Sequence, residues 1–309
     1  MGKQSRRDFL KVAAAVGGTA AGLTALTPKE AKAAASKTLS EDRMGVLVDT
    51  TVCIGCRRCE WACKKAHDID PGDIETYSDE TVFEKMRRPY NEGYTVVNRY
   101  VVNRYDNPQN PQNPINVKVQ CMHCDHPACV SACIVGAFSK LENGAVVWDT
   151  DKCIGCRYCM VACPFQVPTF EFDKALQPDI HKCDFCYERT AEGLLPACVD
   201  ICPVEALTYG KRRDLIEVAE KRMKLNPGRY NGKIYGHTEV GGTSWMYLAN
   251  TDFTKLDFPK LGTSPAPGVS ESIQHGIFAY FVPPIALYAL LGGIMWVTKN
   301  KDNKRGEEE

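Results

Sequence analysis

Cys153-Ile-Gly-Cys156-Arg-Tyr-Cys159-Met-Val-Ala-Cys163-Pro164 sets three cysteines at two-residue gaps, a fourth after three more residues, and a proline directly behind it. The same pattern stands one hundred residues earlier as Cys53-Ile-Gly-Cys56-Arg-Arg-Cys59-Glu-Trp-Ala-Cys63, and the Asp49-Thr50 leading into it matches Asp149-Thr150. So particular a spacing is hard to repeat by chance, and the two runs read as copies of one unit. In each copy a short apolar stretch, residues 45–49 or 145–149, reads as a strand. It feeds a cysteine-bearing loop and then a helix.

All sixteen cysteines fall into four groups of four. The second is Cys121-Met-His-Cys124-Asp-His-Pro-Ala-Cys129-Val-Ser-Ala-Cys133, with a four-residue gap before its third member. The fourth is Cys183-Asp-Phe-Cys186, an eleven-residue gap, then Cys198-Val-Asp-Ile-Cys202-Pro203. That gap is an inserted loop near the thiols and a candidate docking surface. Disulfides are the ordinary expectation for a cysteine-rich exported chain, but thiols two residues apart suit a metal better than a staple. Zinc also uses such pairs. Yet three short gaps closed by Cys-Pro are the run that holds [4Fe-4S] clusters in bacterial ferredoxins, where the last cysteine of each run serves the other cluster. Four groups therefore give capacity for four [4Fe-4S] clusters in two interlocked units, an α+β fold. Gly55 and Gly155 allow the positive φ that turns backbone N–H groups toward sulfur, and Ile54 and Ile154 can cover a cluster face. His123 and His126 suggest the two histidines of a Rieske centre. All four cysteines of the group remain, so both histidines read as local hydrogen-bonding or surface residues.

The formal charge of zero, with Lys+Arg equal to Asp+Glu, gives no basic field for nucleic acid. At the amino terminus, Ser5-Arg6-Arg7-Asp8-Phe9-Leu10, a mild apolar run over 12–26 and Ala31-Lys32-Ala33 read as a twin-arginine export signal over 1–33. That route carries proteins already folded with their cofactors, which reconciles export with unoxidised thiols. Asn107-Pro108, Asn110-Pro111 and Asn113-Pro114 make a surface loop. Leu215, Val218, Ala219 and Met223 stand at helical spacing over 214–225, stopped by Asn226-Pro227-Gly228. Residues 251–275 read as a tether. Residues 276–297 carry no charged side chain and are long enough for a transmembrane helix kinked at Pro283-Pro284. Lys299, Lys301, Lys304 and Arg305 follow it, which puts the 298–309 tail in the cytoplasm and the cysteine body in the periplasm. His275, just before the span, reads as an interface residue.

Taken together, the signal, the four groups in order, Pro196-Ala197-Cys198-Val199, Ser272-Ile-Gln-His275 and the single terminal span resemble the four-cluster ferredoxin-type subunits of respiratory oxidoreductases. Within them the resemblance is greatest to the electron-transfer subunits of hydrogenase-2-type membrane hydrogenases. It implies that Cys53, Cys56, Cys59 and Cys202 hold one cluster, and Cys183, Cys186, Cys198 and Cys63 its neighbour. Cys121, Cys124, Cys129 and Cys163 would hold a third, and Cys153, Cys156, Cys159 and Cys133 the fourth. An outer unit (34–110 and 165–250) would then enclose an inner one (111–164). The chain departs from the pattern at Lys64 and Ile134, where Pro164 and Pro203 follow the other last cysteines, and a fixed φ is lost there. The family's role implies an electron wire rather than a catalyst, between a [NiFe] hydrogenase and a quinone-reactive integral membrane subunit, at the lipid bilayer. A molybdopterin enzyme such as formate dehydrogenase is the alternative partner, and a protein held by disulfides or zinc is the alternative of another class. Arg57, Arg58, Lys64 and Lys65 crowd the first group, so the clusters near it are expected to be reduced more easily than those of the inner unit.

Overall fold

Strand β1 (Met44–Asp49) lies at the centre of a three-stranded sheet, antiparallel to β8 (Leu207–Lys211) and parallel to β9 (Trp245–Leu248). The computed structural model describes residues 40, 42–101, 114–174, 178–268, 287–293 and 295. β1 is apolar at successive positions because both of its faces are covered. Val46 and Val48 join Trp245 and Tyr247 in the main core, while Leu47 turns the other way to meet Met246, Leu248, Leu215 and Ala219. Leu215 and Ala219 stand four residues apart on the one long helix among the described residues, α6 (Arg212–Leu225), which closes that face of the sheet. Val218, expected on the apolar stripe, lies at its rim and is 37% exposed.

Three two-stranded ladders complete the sheet structure. β2 (Val96–Tyr100) pairs with β3 (Ile115–Val119), β4 (Phe138–Lys140) with β5 (Val146–Trp148), and β6 (Thr169–Phe170) with β7 (Ile180–His181), all antiparallel. The cysteine runs carry short helices: α1 (Arg58–Ala66), α2 (Ala128–Ser131), α3 (Tyr158–Ala162), α4 (Tyr187–Ala191) and α5 (Ala197–Asp200). One plan appears twice. The strand before Cys53 pairs with the strand after Cys202, and α1 packs on α5; the strand before Cys153 pairs with the strand after Cys133, and α3 packs on α2.

Residues 251–258, expected to begin a tether, instead pack against the body. Asp252 accepts the Thr254 amide at 2.8 Å and opens a 3-10 turn, Phe253–Leu256, whose Phe253 and Leu256 are buried with Tyr235 and Tyr247. The Pro, Gly and Ser content of the longer stretch masks these anchors. The expected signal at 1–33, the Asn-Pro loop at 107–113, His275 and the 298–309 tail lie outside the described residues. So does most of the expected span at 276–297, of which residues 287–293 and 295 are helical and exposed. Among the described residues no helix is long and apolar enough to cross a membrane.

Candidate metal centres

The first Cys-x-x-Cys turn of each group holds the residue before its second cysteine in the left-handed region: Gly55 (φ +74°), His123 (+49°), Gly155 (+67°) and Phe185 (+70°). The turn aims backbone donors at sulfur. Gly155 N–H points to Cys153 Sγ at 3.5 Å and Phe185 N–H to Cys183 Sγ at 3.4 Å. At Gly55 space as well as φ demands glycine, since an added Cβ would lie 2.5 Å from Asn116 Oδ1. Asn116 is fixed there by donating to the Cys53 carbonyl at 3.1 Å. His123 and Phe185 hold the same conformation because surrounding packing over-determines it. Their rings are fully buried, 4.9 Å apart, and His123 Nδ1 accepts the Val146 amide at 2.8 Å. His123 is thus a core hydrogen-bonding residue and not a surface one. Burial, with the charges of Lys182, Lys140 and Lys118, holds its imidazole well below the usual pKa. His126 is half-buried beside Gly241.

All sixteen cysteines are free thiols, and the fold brings distant ones together. Burial pushes the Cys53 thiol up to about 11, and neighbouring Cys202 and Cys56 add to the rise. With Cys59 these residues line a small cleft walled by Val48, Val97 and Leu207. Cys63, from the end of the first run, lies beside Cys183, Cys186 and Cys198. Cys163 lies beside Cys124 and Cys129, both of which also face Cys121. Cys159 is raised to about 11 by burial, then by Cys153 and Cys156, and it packs with Cys133 and Cys153 around Phe138 and Ile180. Two electrostatic couplings link sets: besides burial, the Cys198 thiol raises the pKa of Cys59, and the Cys159 thiol that of Cys129. The inserted loop does return Cys198 to its set. Arg189 closes it, donating to the Leu195 carbonyl at 2.6 Å and pairing with Asp200 at 2.8 Å.

Three residues after the last cysteine of three groups, the chain is again left-handed, at Gly136 (+64°), Gln166 (+52°) and Glu205 (+50°). Ile134 in place of proline therefore leaves the loop unchanged, whereas at Lys64 helix α1 runs on to Ala66. Proline's fixed φ is dispensable at the first site and would break the helix at the second.

The four basic residues near the first group are divided between the cleft and other partners. Arg57 is buried and pairs with Glu60 at 3.3 Å, Lys64 lies over the Tyr90 ring and Lys65 over Trp61; Arg57 and Arg58 both line the cysteine cleft. Deeper cations escaped the sequence reading. Lys118 and Lys182 are buried, and Lys140 is half-buried with its ammonium held by the carbonyls of His123 (3.0 Å) and Gly144 (2.6 Å).

Sets of four thiols walled by apolar side chains and faced by backbone N–H groups have the donor chemistry that iron–sulfur clusters take; at the second set, His67 and Asp184, hydrogen-bonded to each other at 2.9 Å, also stand beside Cys63 and Cys186. Comparison with known proteins agrees. Residues 115–212 match the 4Fe-4S dicluster domain. The chain is 45% identical to a protein of Nitratidesulfovibrio vulgaris over 308 residues, covering 98% of this chain and 80% of that one. It is 33% identical to the hydrogenase-2 operon protein HybA of Escherichia coli O157:H7 over 336 residues, 99% of each chain. Over 234 residues, 74% of each chain, it is 33% identical to the iron-sulfur subunit of the nitrate-inducible formate dehydrogenase of Escherichia coli K12.

Proposed function

The chain belongs to the family of ferredoxin-type iron–sulfur subunits that includes the hydrogenase-2 operon protein and the formate dehydrogenase iron-sulfur subunit, and on that footing we propose that it is an electron-transfer subunit carrying four [4Fe-4S] clusters. Cys53, Cys56, Cys59 and Cys202 hold the first, and Cys63, Cys183, Cys186 and Cys198 the second. Cys121, Cys124, Cys129 and Cys163 hold the third, and Cys133, Cys153, Cys156 and Cys159 the fourth. The observation that carries this reading is the crossing over of last cysteines. Cys202 lies beside Cys53, Cys63 beside Cys183, and Cys163 beside Cys124, the exchange that two-cluster ferredoxins use.

When bound, the clusters supply one-electron redox chemistry. The chain's own part is to hold thiolates in place, aim N–H groups at them and keep water out. Cys59 with Cys198, and Cys129 with Cys159, are the thiols through which neighbouring sets interact. The protein works on the periplasmic face of the inner membrane, exported by its Arg6-Arg7 signal and anchored by residues 276–297, between a [NiFe] hydrogenase and a quinone-reactive membrane subunit. The likeness to HybA supports the hydrogenase. The likeness to the formate dehydrogenase subunit supports a molybdopterin enzyme as the second reading.

Mild detergent extraction tests both. The expected result is a brown protein with about sixteen irons, four for each of four cubane clusters, co-purifying with a nickel subunit. Molybdenum or tungsten in its place selects the second reading, and a colourless protein with paired cysteines refutes both.

A further inference from the structure

Lys118 should read as solvent-facing, because the period of strand Ile115–Val119 puts it with Asn116, opposite Ile115, Val117 and Val119. It is instead 3% exposed. Its ammonium donates to Gln120 Oε1 at 3.0 Å and lies 4.3 Å from the centroid of the buried Trp245 ring. Gln120 is held in turn by donating to Tyr247 Oη at 2.6 Å, and Tyr247 donates back to the Lys118 carbonyl at 2.9 Å. This closed ring of hydrogen bonds fixes the ammonium. Among the described residues no carboxylate lies within 4.0 Å of it. A buried charge without a counter-ion is costly, so its compensation has to come from other anions.

Those anions are the thiolates. Lys118 lines the cleft of Cys53, Cys56, Cys59 and Cys202, and the charges of Cys198, Cys59 and Cys183 hold its pKa up against burial. It thus acts on thiols of both the first and the second cysteine sets. By contrast, the neighbours of Cys159 in the fourth set are other cysteines and backbone amides.

We propose that Lys118 is the potential-setting residue of the two outer centres: its fixed positive charge, acting on thiols of both the Cys53 and Cys183 sets, favours their more negative, reduced states and makes the pair easier to reduce than the centre of the Cys153 set. The role rests on the cluster reading above. It concerns a residue that ligates nothing, so it is a positioning role exerted through charge.

The test is a potentiometric titration of the clusters by electron paramagnetic resonance in the full chain, comparing wild type with Lys118→Met, Lys118→Arg and Gln120→Glu. Lys118→Met removes the charge at similar volume. Gln120→Glu leaves the lysine in place and sets a carboxylate where the amide oxygen now accepts from it. Both should lower the reduced-to-oxidised ratio of the two outer clusters at least tenfold at fixed potential, a shift of about 59 mV for a one-electron couple. The Cys153 cluster should keep its potential, and Lys118→Arg should match wild type throughout. If Lys118→Met fails to assemble, Gln120→Glu decides alone. Unshifted outer potentials in an assembled neutralised variant, or an equal shift in the Cys153 cluster, overturn the role of Lys118 and leave the cluster reading intact; a wild-type protein without clusters overturns both.

Discussion

Replacing Glu60 by alanine removes the carboxylate that fastens the first cysteine helix to the body. Its oxygens accept from Arg87 at 2.6 and 3.0 Å, from Arg57 at 3.3 and 3.4 Å, and from the Val97 backbone amide at 2.6 Å. The Glu60 side chain is 6% exposed, against 9% for Arg57 and 22% for Arg87. Removing one partner of a buried ion pair costs about 3–5 kcal/mol, and stranding a buried amide about 1–3 kcal/mol. Because water reaches Arg87, the lower part of that combined range applies, about 4 kcal/mol. A cluster protein that loses its iron does not refold, so the quantity to measure is a rate: loss of visible absorbance at a fixed guanidinium concentration. If half of the loss falls on the unfolding barrier, bleaching accelerates by about 2 kcal/mol, roughly thirtyfold at tenfold per 1.4 kcal/mol. Glu60→Gln keeps the shape and one acceptor oxygen and should fall between. A Glu60→Ala protein that bleaches within about twofold of wild type would refute the reasoning.

Cys63→Ser should abolish or alter the cluster held by Cys183, Cys186 and Cys198 while leaving that of Cys53, Cys56 and Cys59; resonance spectra showing the reverse would sink the crossed ligand sets. Gly55→Ala and Gly155→Ala both impose a left-handed alanine at about 1–2 kcal/mol, but the first also drives Cβ into Asn116 at 2.5 Å whereas the second meets Phe170 at 3.5 Å. Iron content should therefore fall further in Gly55→Ala, and equal losses would count against the steric account. Burial pulls the Glu171 carboxyl up, yet hydrogen bonds from Lys174, His181 and the Asp179 amide outweigh it and hold the pKa down at about 2, against the usual 4.5. A depressed carboxylate contributes stability that is complete above the unfolded value and lost as pH falls through the folded one. The stability deficit of Glu171→Gln should thus be constant above about pH 4.5 and shrink below it, and a deficit that grows on acidification would reverse the assignment.

Much of the site was legible because spacing alone dictates it. A Cys-x-x-Cys turn that aims amides at sulfur needs a left-handed residue before its second cysteine, and in the two copies glycine announces that conformation. Phe185 and His123 hide it, since their φ is imposed by tertiary packing that no local pattern encodes. Strands β1 and β5 followed from short apolar stretches and helix α6 from apolar periodicity, whose buried face agrees at Leu215 and Ala219, whereas β8 and β9 were not read from the sequence. Lys118 was illegible for a different reason. Period two assigns a face but not its covering, and a lysine on a polar face reads as solvated until the thiols that cover it are in place. Glu60 was equally silent, because its partners Arg87 and Val97 lie 27 and 37 residues away. The tether reading failed at Phe253 and Leu256, two anchors among residues that otherwise favour extended chain.

The central position of β1 has a consequence in time. Its partners are strands at 207–211 and 245–248, so the first strand to leave the ribosome waits longest for its neighbours. The third and fourth thiol sets, by contrast, fall wholly within residues 121–163. During synthesis the inner centres can be filled while the outer ones still lack Cys198 and Cys202. On the proposed ligand sets, the pairing of β1 with β8 and β9 therefore comes after the residues of the inner centres have been made.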